Sequence, residues 1–147
     1  MNQRDRELLQ LAIDCGYAGL KDAGGAPIGA VIAKDGDVLI QTYNQAEKLC
    51  DPTAHGEIVA IRKACKKLGQ LELKGYTIYC SAEPCPMCLT AIYWTKIDRI
   101  VYAVEKDSAV FRIKFHWAIT NDLIDFPHIC YLLFNIESFI TMCYRTK

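Results

Sequence analysis

The sequence predicts an α/β domain in which helices pack in layers on a mixed β-sheet. Three observations carry that prediction. Apolar periodicity runs in the order α-β-β-α-β-α-β along the chain. Two of the strand patterns flank an Asp-Gly turn, which joins them as an antiparallel hairpin. The later strands alternate with helical patterns, as in layered α/β sheets. A hairpin added to such a unit gives strands of both directions.

The first element is a helix. From Arg4 to about Leu20, residues Leu8, Leu9, Ala12, Ile13 and Tyr17 recur at helical spacing, and Gly24-Gly25-Ala26-Pro27 breaks the pattern. Ile28 to Ala33 is an apolar, β-branched run. Lys34-Asp35-Gly36-Asp37 is the turn, and Val38 to Tyr43 is the returning strand. Asp51-Pro52 carries the marks of a helix start, an acceptor side chain and then a proline suited to the first helical position. That helix is expected to run to about Leu68 and stop at Gly69. Tyr76 to Cys80 reads as a strand, Pro84 or Cys85 to Thr95 as a helix, and Ile100 to Ala103 as a further strand. All five phenylalanines lie at or after Phe111, and the last third is expected to hold a short helix and one more strand, Ile129 to Phe134.

Composition bounds the function. The 147 residues suit a single domain spanning 1–147, with a core that needs no covalent staples. Lys plus Arg equals Asp plus Glu at 17 each, so the basic excess typical of a nucleic-acid binder is absent. Arg62, Lys63, Lys66 and Lys67 look like a basic patch, but Ile58, Ala60, Ile61, Ala64 and Leu68 make them the solvated face of one helix. The opening residues, Met1 to Glu7, are polar and do not resemble a secretory signal. The longest apolar stretch falls far short of the roughly 20 residues that cross a bilayer, so no membrane partner and a cytoplasmic location are expected. Of eight cysteines, two form a CxxC. The others, Cys15, Cys50, Cys65, Cys80, Cys130 and Cys143, are expected to be reduced and largely to fill core space.

Four residues carry chemistry: His55, Glu57, Cys85 and Cys88. Cys85 and Cys88 are three apart and share a helix face. At the first turn of a helix, the dipole and free N–H groups favour the thiolate form that binds metal. His55 lies near the start of the preceding helix, so two helix N-termini can converge on one zinc with a Cys2His set. Three protein ligands leave a fourth position for water, the arrangement of a catalytic zinc. Glu57 can stand beside the metal without binding it and move protons to and from the reacting groups. Cys80, on the strand before the CxxC, is the one residue placed to close the shell, which would make a structural Cys3His site instead. His116 and His128 lack ligand spacing.

His55-Gly56-Glu57 with the later Pro84-Cys85-Pro86-Met87-Cys88 has the form of the zinc deaminase signature. With Pro27 to Ile32, Asn44, Asp51-Pro52-Thr53-Ala54 and Ala82-Glu83, it resembles the cytidine and deoxycytidylate deaminase superfamily over roughly residues 5 to 107. Ala91-Ile92-Tyr93-Trp94 looks most like the bacterial guanine deaminases and related nucleoside deaminases within it. The resemblance implies a cytidine deaminase-like three-layer α-β-α fold, zinc held by His55, Cys85 and Cys88, and Glu57 as proton shuttle. It also implies that Asn44 hydrogen-bonds the base, that the backbone around Ala54 helps hold it, and that Trp94 walls the pocket. Without the resemblance, Asn44 reads as a turn residue, and Trp94 and Met87 as core. Gly56 stands where the family commonly has Ala, and Ile28 where many guanine deaminases carry Phe. From about residue 108 the tail diverges: those enzymes have a Phe-Asp-Asp segment after this region, whereas here Asp107-Ser108-Ala109-Val110-Phe111 is followed by Arg112-Ile113.

The reaction implied is hydrolytic deamination of a nucleobase or nucleoside, with guanine the favoured substrate in purine metabolism. A tRNA adenosine, a cytosine compound and the non-catalytic structural site are the alternatives. Ten apolar residues between Ile129 and Tyr144 point to a homodimer, and the resemblance adds exchange of C-terminal segments between partners.

Overall fold

A computed structural model describes residues 1–105 of the chain. The expected strand at Ile129 to Phe134, the tail helix, His116 and His128, and Cys130 and Cys143 lie outside the described residues.

Helix α1 runs Gln3–Ala23, three residues beyond the expected end. Asn2 caps it: Asp5 N donates to Asn2 Oδ1 at 2.7 Å, and Asn2 N donates to Asp5 Oδ2 at 3.3 Å, a reciprocal capping box. Strands β1 (Gly29–Lys34) and β2 (Asp37–Tyr43) form the expected hairpin. Lys34 faces Asp37, which leaves Asp35-Gly36 as a two-residue turn with both residues at positive φ, 51° and 88°. Helix α2 (Ala46–Leu49) has no counterpart in the sequence pattern. Helix α3 (Gly56–Leu68), strand β3 (Thr77–Cys80), helix α4 (Pro86–Trp94) and strand β4 (Arg99–Tyr102) complete the order.

The start of α3 corrects the sequence reading. Asp51 does not cap that helix and Pro52 is not its first residue. Asp51 Oδ1 accepts Thr53 N at 2.8 Å and Thr53 Oγ1 at 2.6 Å, closing a turn of its own, and its other oxygen takes Arg62 at 3.1 Å. The chain enters the helix four residues later, with His55 at the N-cap in extended conformation.

The sheet has the order β2-β1-β3-β4. β1 is antiparallel to both β2 and β3, and β3 and β4 are parallel, so the sheet is mixed as expected. β1 is central and buried on both faces, because Ala30 and Ile32 point one way and Val31 and Ala33 the other. On one face they meet Ala60, Ile61 and Ala64 of α3 and Ile92 of α4. On the other they meet Leu8, Leu9 and Ala12 of α1. The result is three layers, helix, sheet, helix. Each fully buried Leu or Ile contributes about 1.5–3 kcal/mol to holding them together.

α1 approaches β1 closely because glycines face each other across the layer. A Cβ on Gly29 would lie 2.1 Å from the Ala12 carbonyl oxygen and 2.5 Å from Gly16 N. A second link ties the first turn of α1 to the far side of the sheet. Asp5, buried, takes both Arg99 guanidinium nitrogens at 2.8 Å and the Tyr79 hydroxyl at 2.8 Å. The Arg99 guanidinium holds the Asp5 carboxyl well below the usual carboxylate range, against the opposing effect of burial. Burial, with the Asp5 carboxylate beside it, pushes the Tyr79 hydroxyl up to about 12.

Candidate functional site

Two helix N-termini meet beside the ends of β1 and β3. His55 is the N-cap of α3 and Cys85 the N-cap of α4, with Pro86 at the next position and Cys88 one turn on. Neither cap makes a side-chain capping bond, so both donor side chains remain directed to each other. Cys85 Sγ and Cys88 Sγ each lie 3.6 Å from His55 Nδ1, and the three donor atoms lie within 4.8 Å of one another. A tetrahedral zinc, with sulfur at about 2.3 Å and nitrogen at about 2.0–2.1 Å, separates such a pair by about 3.6 Å. The donor set is therefore sized for zinc.

Cys80 stays out of this group. It is buried in the core between the sheet and α3, and the metal-sized cluster among the described residues contains only His55, Cys85 and Cys88. The closed Cys3His shell is not formed. All six cysteines of the described residues are free thiols.

Glu57, second residue of α3, is buried at 3% exposure, and its Oε2 has no hydrogen-bond partner among the described residues. Burial raises its carboxyl above the ordinary value. Burial likewise pushes the Cys88 thiol up, with the Glu57 charge adding to it. A dication among these groups reverses both tendencies, because it favours thiolate and carboxylate alike. A buried carboxylate oxygen left without a hydrogen bond is costly.

Asn44 comes directly after β2 and is buried at 7% exposure, with Oδ1 unpartnered among the described residues. Its backbone N donates to the Ile28 carbonyl at 2.8 Å, and it abuts Gly56, between His55 and Glu57. The structure thus brings Asn44 into the site. Ala54 is fully buried beside it: its N donates to Asp51 O at 3.0 Å and its carbonyl accepts Gln45 N at 2.9 Å. These bonds fasten the loop carrying Asn44 to the turn ahead of α3. Trp94 is not brought in. It ends α4, at the opposite end from the cysteines, and is 81% exposed. The basic residues of α3 are mostly engaged locally: Arg62 with Asp51, Lys63 with Thr42 Oγ1, Lys67 with the Leu39 carbonyl. Two contributors escape a reading of the sequence. Ser81 brackets the start of β1, accepting Gly29 N and donating its own N to Gly29 O, both at 3.0 Å. Glu47 on α2 lies over Gly24-Gly25 next to Asn44. Neither belongs to a recognisable motif.

Residues 2–104 match the family model of the cytidine and deoxycytidylate deaminase zinc-binding region. The guanine deaminase of Bacillus subtilis (strain 168) is 46% identical over 101 residues, 69% of this chain and 65% of that protein. The tRNA-specific adenosine deaminase of Aquifex aeolicus is 38% identical over 82 residues, 56% of this chain and 54% of that protein. The aligned region thus spans between half and two thirds of these relatives' lengths. A crystal structure of guanine deaminase from Bacillus subtilis superposes with a TM-score of 0.69 at 35% identity, covering 90% of this chain and 92% of that one. The three-layer architecture is shared with it.

Proposed function

Because the chain belongs to the cytidine and deoxycytidylate deaminase family, defined by its zinc-binding region, we propose that it is a hydrolytic deaminase of a nucleobase or nucleoside, acting on guanine. The observation that carries this reading is Glu57, buried beside a zinc-sized Cys2His donor set with its Oε2 lacking a hydrogen bond among the described residues. His55, Cys85 and Cys88 would hold a zinc ion. When bound, the zinc supplies the Lewis acidity that lets water act as a nucleophile near neutral pH.

Glu57 accepts a proton from the attacking water as its oxygen bonds to the amino-bearing ring carbon. It then delivers that proton to the departing amine, which leaves as ammonia, and the hydroxyl proton passes to the adjacent ring nitrogen, so the ring carbon keeps the oxygen as a carbonyl. A carboxyl group buried beside the donor set and outside it is placed for both halves of that exchange. Asn44 hydrogen-bonds the base through the amide whose oxygen finds no partner among the described residues. Ala54 holds the loop that presents it. Trp94 is exposed away from the metal donors, and we assign its wall role to an interface between two copies of the chain. In this reading one domain over residues 1–147 carries the activity and works as a homodimer.

Guanine is supported by the 46% identical relative, by Tyr93-Trp94, and by the balanced charge. The 38% identical relative favours a second reading, an adenosine in tRNA. Ammonia release by the zinc-loaded protein over guanine, guanosine, adenine, cytosine, cytidine and a tRNA anticodon stem separates them. Guanine is expected to be turned over fastest. Turnover of the tRNA stem alone, with binding that falls steeply as salt rises, would replace guanine with the tRNA reading.

A further inference from the structure

The Asp22 and Asp51 carboxylates are each paired with a cation. Asp22 takes Lys48 Nζ at 2.6 Å and the Tyr43 hydroxyl at 2.5 Å, and Asp51 takes Arg62 at 3.1 Å. Glu47, between them in the chain, has neither an ion pair nor a hydrogen bond through its carboxylate among the described residues. Lys48, its neighbour in sequence, turns to Asp22 instead.

The Glu47 carboxylate lies over the Gly24-Gly25 backbone, where both residues have positive φ, 68° and 73°. A Cβ on Gly24 would lie 2.8 Å from Glu47 Oε2, and one on Gly25 would lie 3.0 Å from Oε1. That same point on Gly25 is 3.3 Å from Asn44 Nδ2. Carboxylate and amide therefore face one patch of bare backbone, which any side chain would crowd. Asn44 is more than nine-tenths buried with Oδ1 unpartnered, and its backbone abuts Gly56, between His55 and Glu57. Asn44 thus lies between Gly56 and Glu47, its backbone N against Gly56 and its Nδ2 facing the same point on Gly25 as the Glu47 carboxylate.

With the amino-bearing carbon of a purine at Glu57 and its edge on Asn44, an imidazole ring directed past the Asn44 amide would meet the Glu47 carboxylate. In a free base that ring carries an N–H. In a nucleoside or a nucleic acid the corresponding nitrogen carries the sugar. An ionised carboxylate only accepts hydrogen bonds, and a charge-assisted bond is about twice as strong as a neutral one. It also repels the phosphates of a polynucleotide.

We propose that Glu47 is a specificity-determining residue that accepts the imidazole N–H of a free purine base, so that the site takes bases and rejects their N9-glycosylated forms. The choice of ligand rests on the deaminase reading above; the position of Glu47 does not.

Calorimetric titration of the zinc-loaded protein with hypoxanthine and with inosine tests it. Neither carries an exocyclic amine, so only binding is read, and the two differ solely at N9. Wild type is expected to bind hypoxanthine about tenfold or more tightly than Glu47→Gln does, and to bind inosine weakly with no effect of the substitution. Glu47 makes no ion pair and no carboxylate hydrogen bond among the described residues, so the variant should unfold at the wild-type temperature. Equal hypoxanthine affinity in both proteins, no binding of hypoxanthine by wild type, or inosine binding as tight as hypoxanthine would overturn the proposal. Hypoxanthine binding that depends on Glu47, in a protein that releases no ammonia from any base, would sink the deaminase reading alone.

Discussion

A residue's neighbours decide which of the eight cysteines matter. Cys80 and Cys88 are both fully buried, yet only Cys88 points its sulfur to His55 and Cys85. Cys85→Ser is expected to lose most of the bound zinc, while Cys80→Ala keeps one zinc per chain, measured by metal analysis after dialysis. Loss of zinc in the Cys80 variant would revive the closed structural site. Asp5 shows the same logic for a charge. Its carboxyl is held far below its unfolded value of about 3.9, so its contribution to stability is present above that pH and is lost as pH falls through the folded value. Asp5→Asn should cost about 2 kcal/mol at pH 7, less than the roughly 3–5 of a fully buried pair because Arg99 is partly open to solvent. Urea denaturation should show that deficit shrinking as the pH is lowered below about 4. A deficit independent of pH would mean that the ion pair contributes nothing.

At the scale of elements, close approach of α1 to β1 depends on Gly29 and Gly16. Gly29→Ala places a methyl against backbone that cannot yield, and a loss of about 3 kcal/mol or more in chemical denaturation is expected. A near-neutral effect would mean that the layers can slide apart freely. The hairpin, the order of elements and the two helices bearing the metal donors are legible in the sequence, because period and turn chemistry agree there. The spacing of His55 and Glu57, ambiguous within a helix, becomes meaningful only at a helix start. Asp51-Pro52 misplaces that start because it carries the right residue types, whereas Thr53 and Arg62 consume the Asp51 oxygens. Helix α2 escapes notice because four residues show no period and their N-cap, Gln45, makes no side-chain bond. The pairing of Asp5 with Arg99 spans 94 positions, and no local pattern announces it.

For the whole molecule, no helix among the described residues is long and apolar enough to cross a membrane. The proposed homodimer rests on the apolar residues from Ile129 to Tyr144, which lie outside the described residues, and a two-fold partner is the commonest cover for such a sequence. A chain cut after about Lys106 is expected to become monomeric or aggregation-prone and to lose turnover while keeping its zinc, as judged by sedimentation, activity and metal content. A truncated chain with unchanged association and full turnover would remove the tail from both roles. The most direct measurement sets Glu57→Gln against wild type, recording ammonia release from guanine and bound zinc on the same samples. A general acid–base group contributes about 10²–10⁴-fold, so the variant should lose at least a hundredfold in turnover while holding one zinc per chain. Turnover within a few-fold of wild type, or zinc lost in step with activity, would contradict the assignment of Glu57 as the proton carrier of a zinc deaminase.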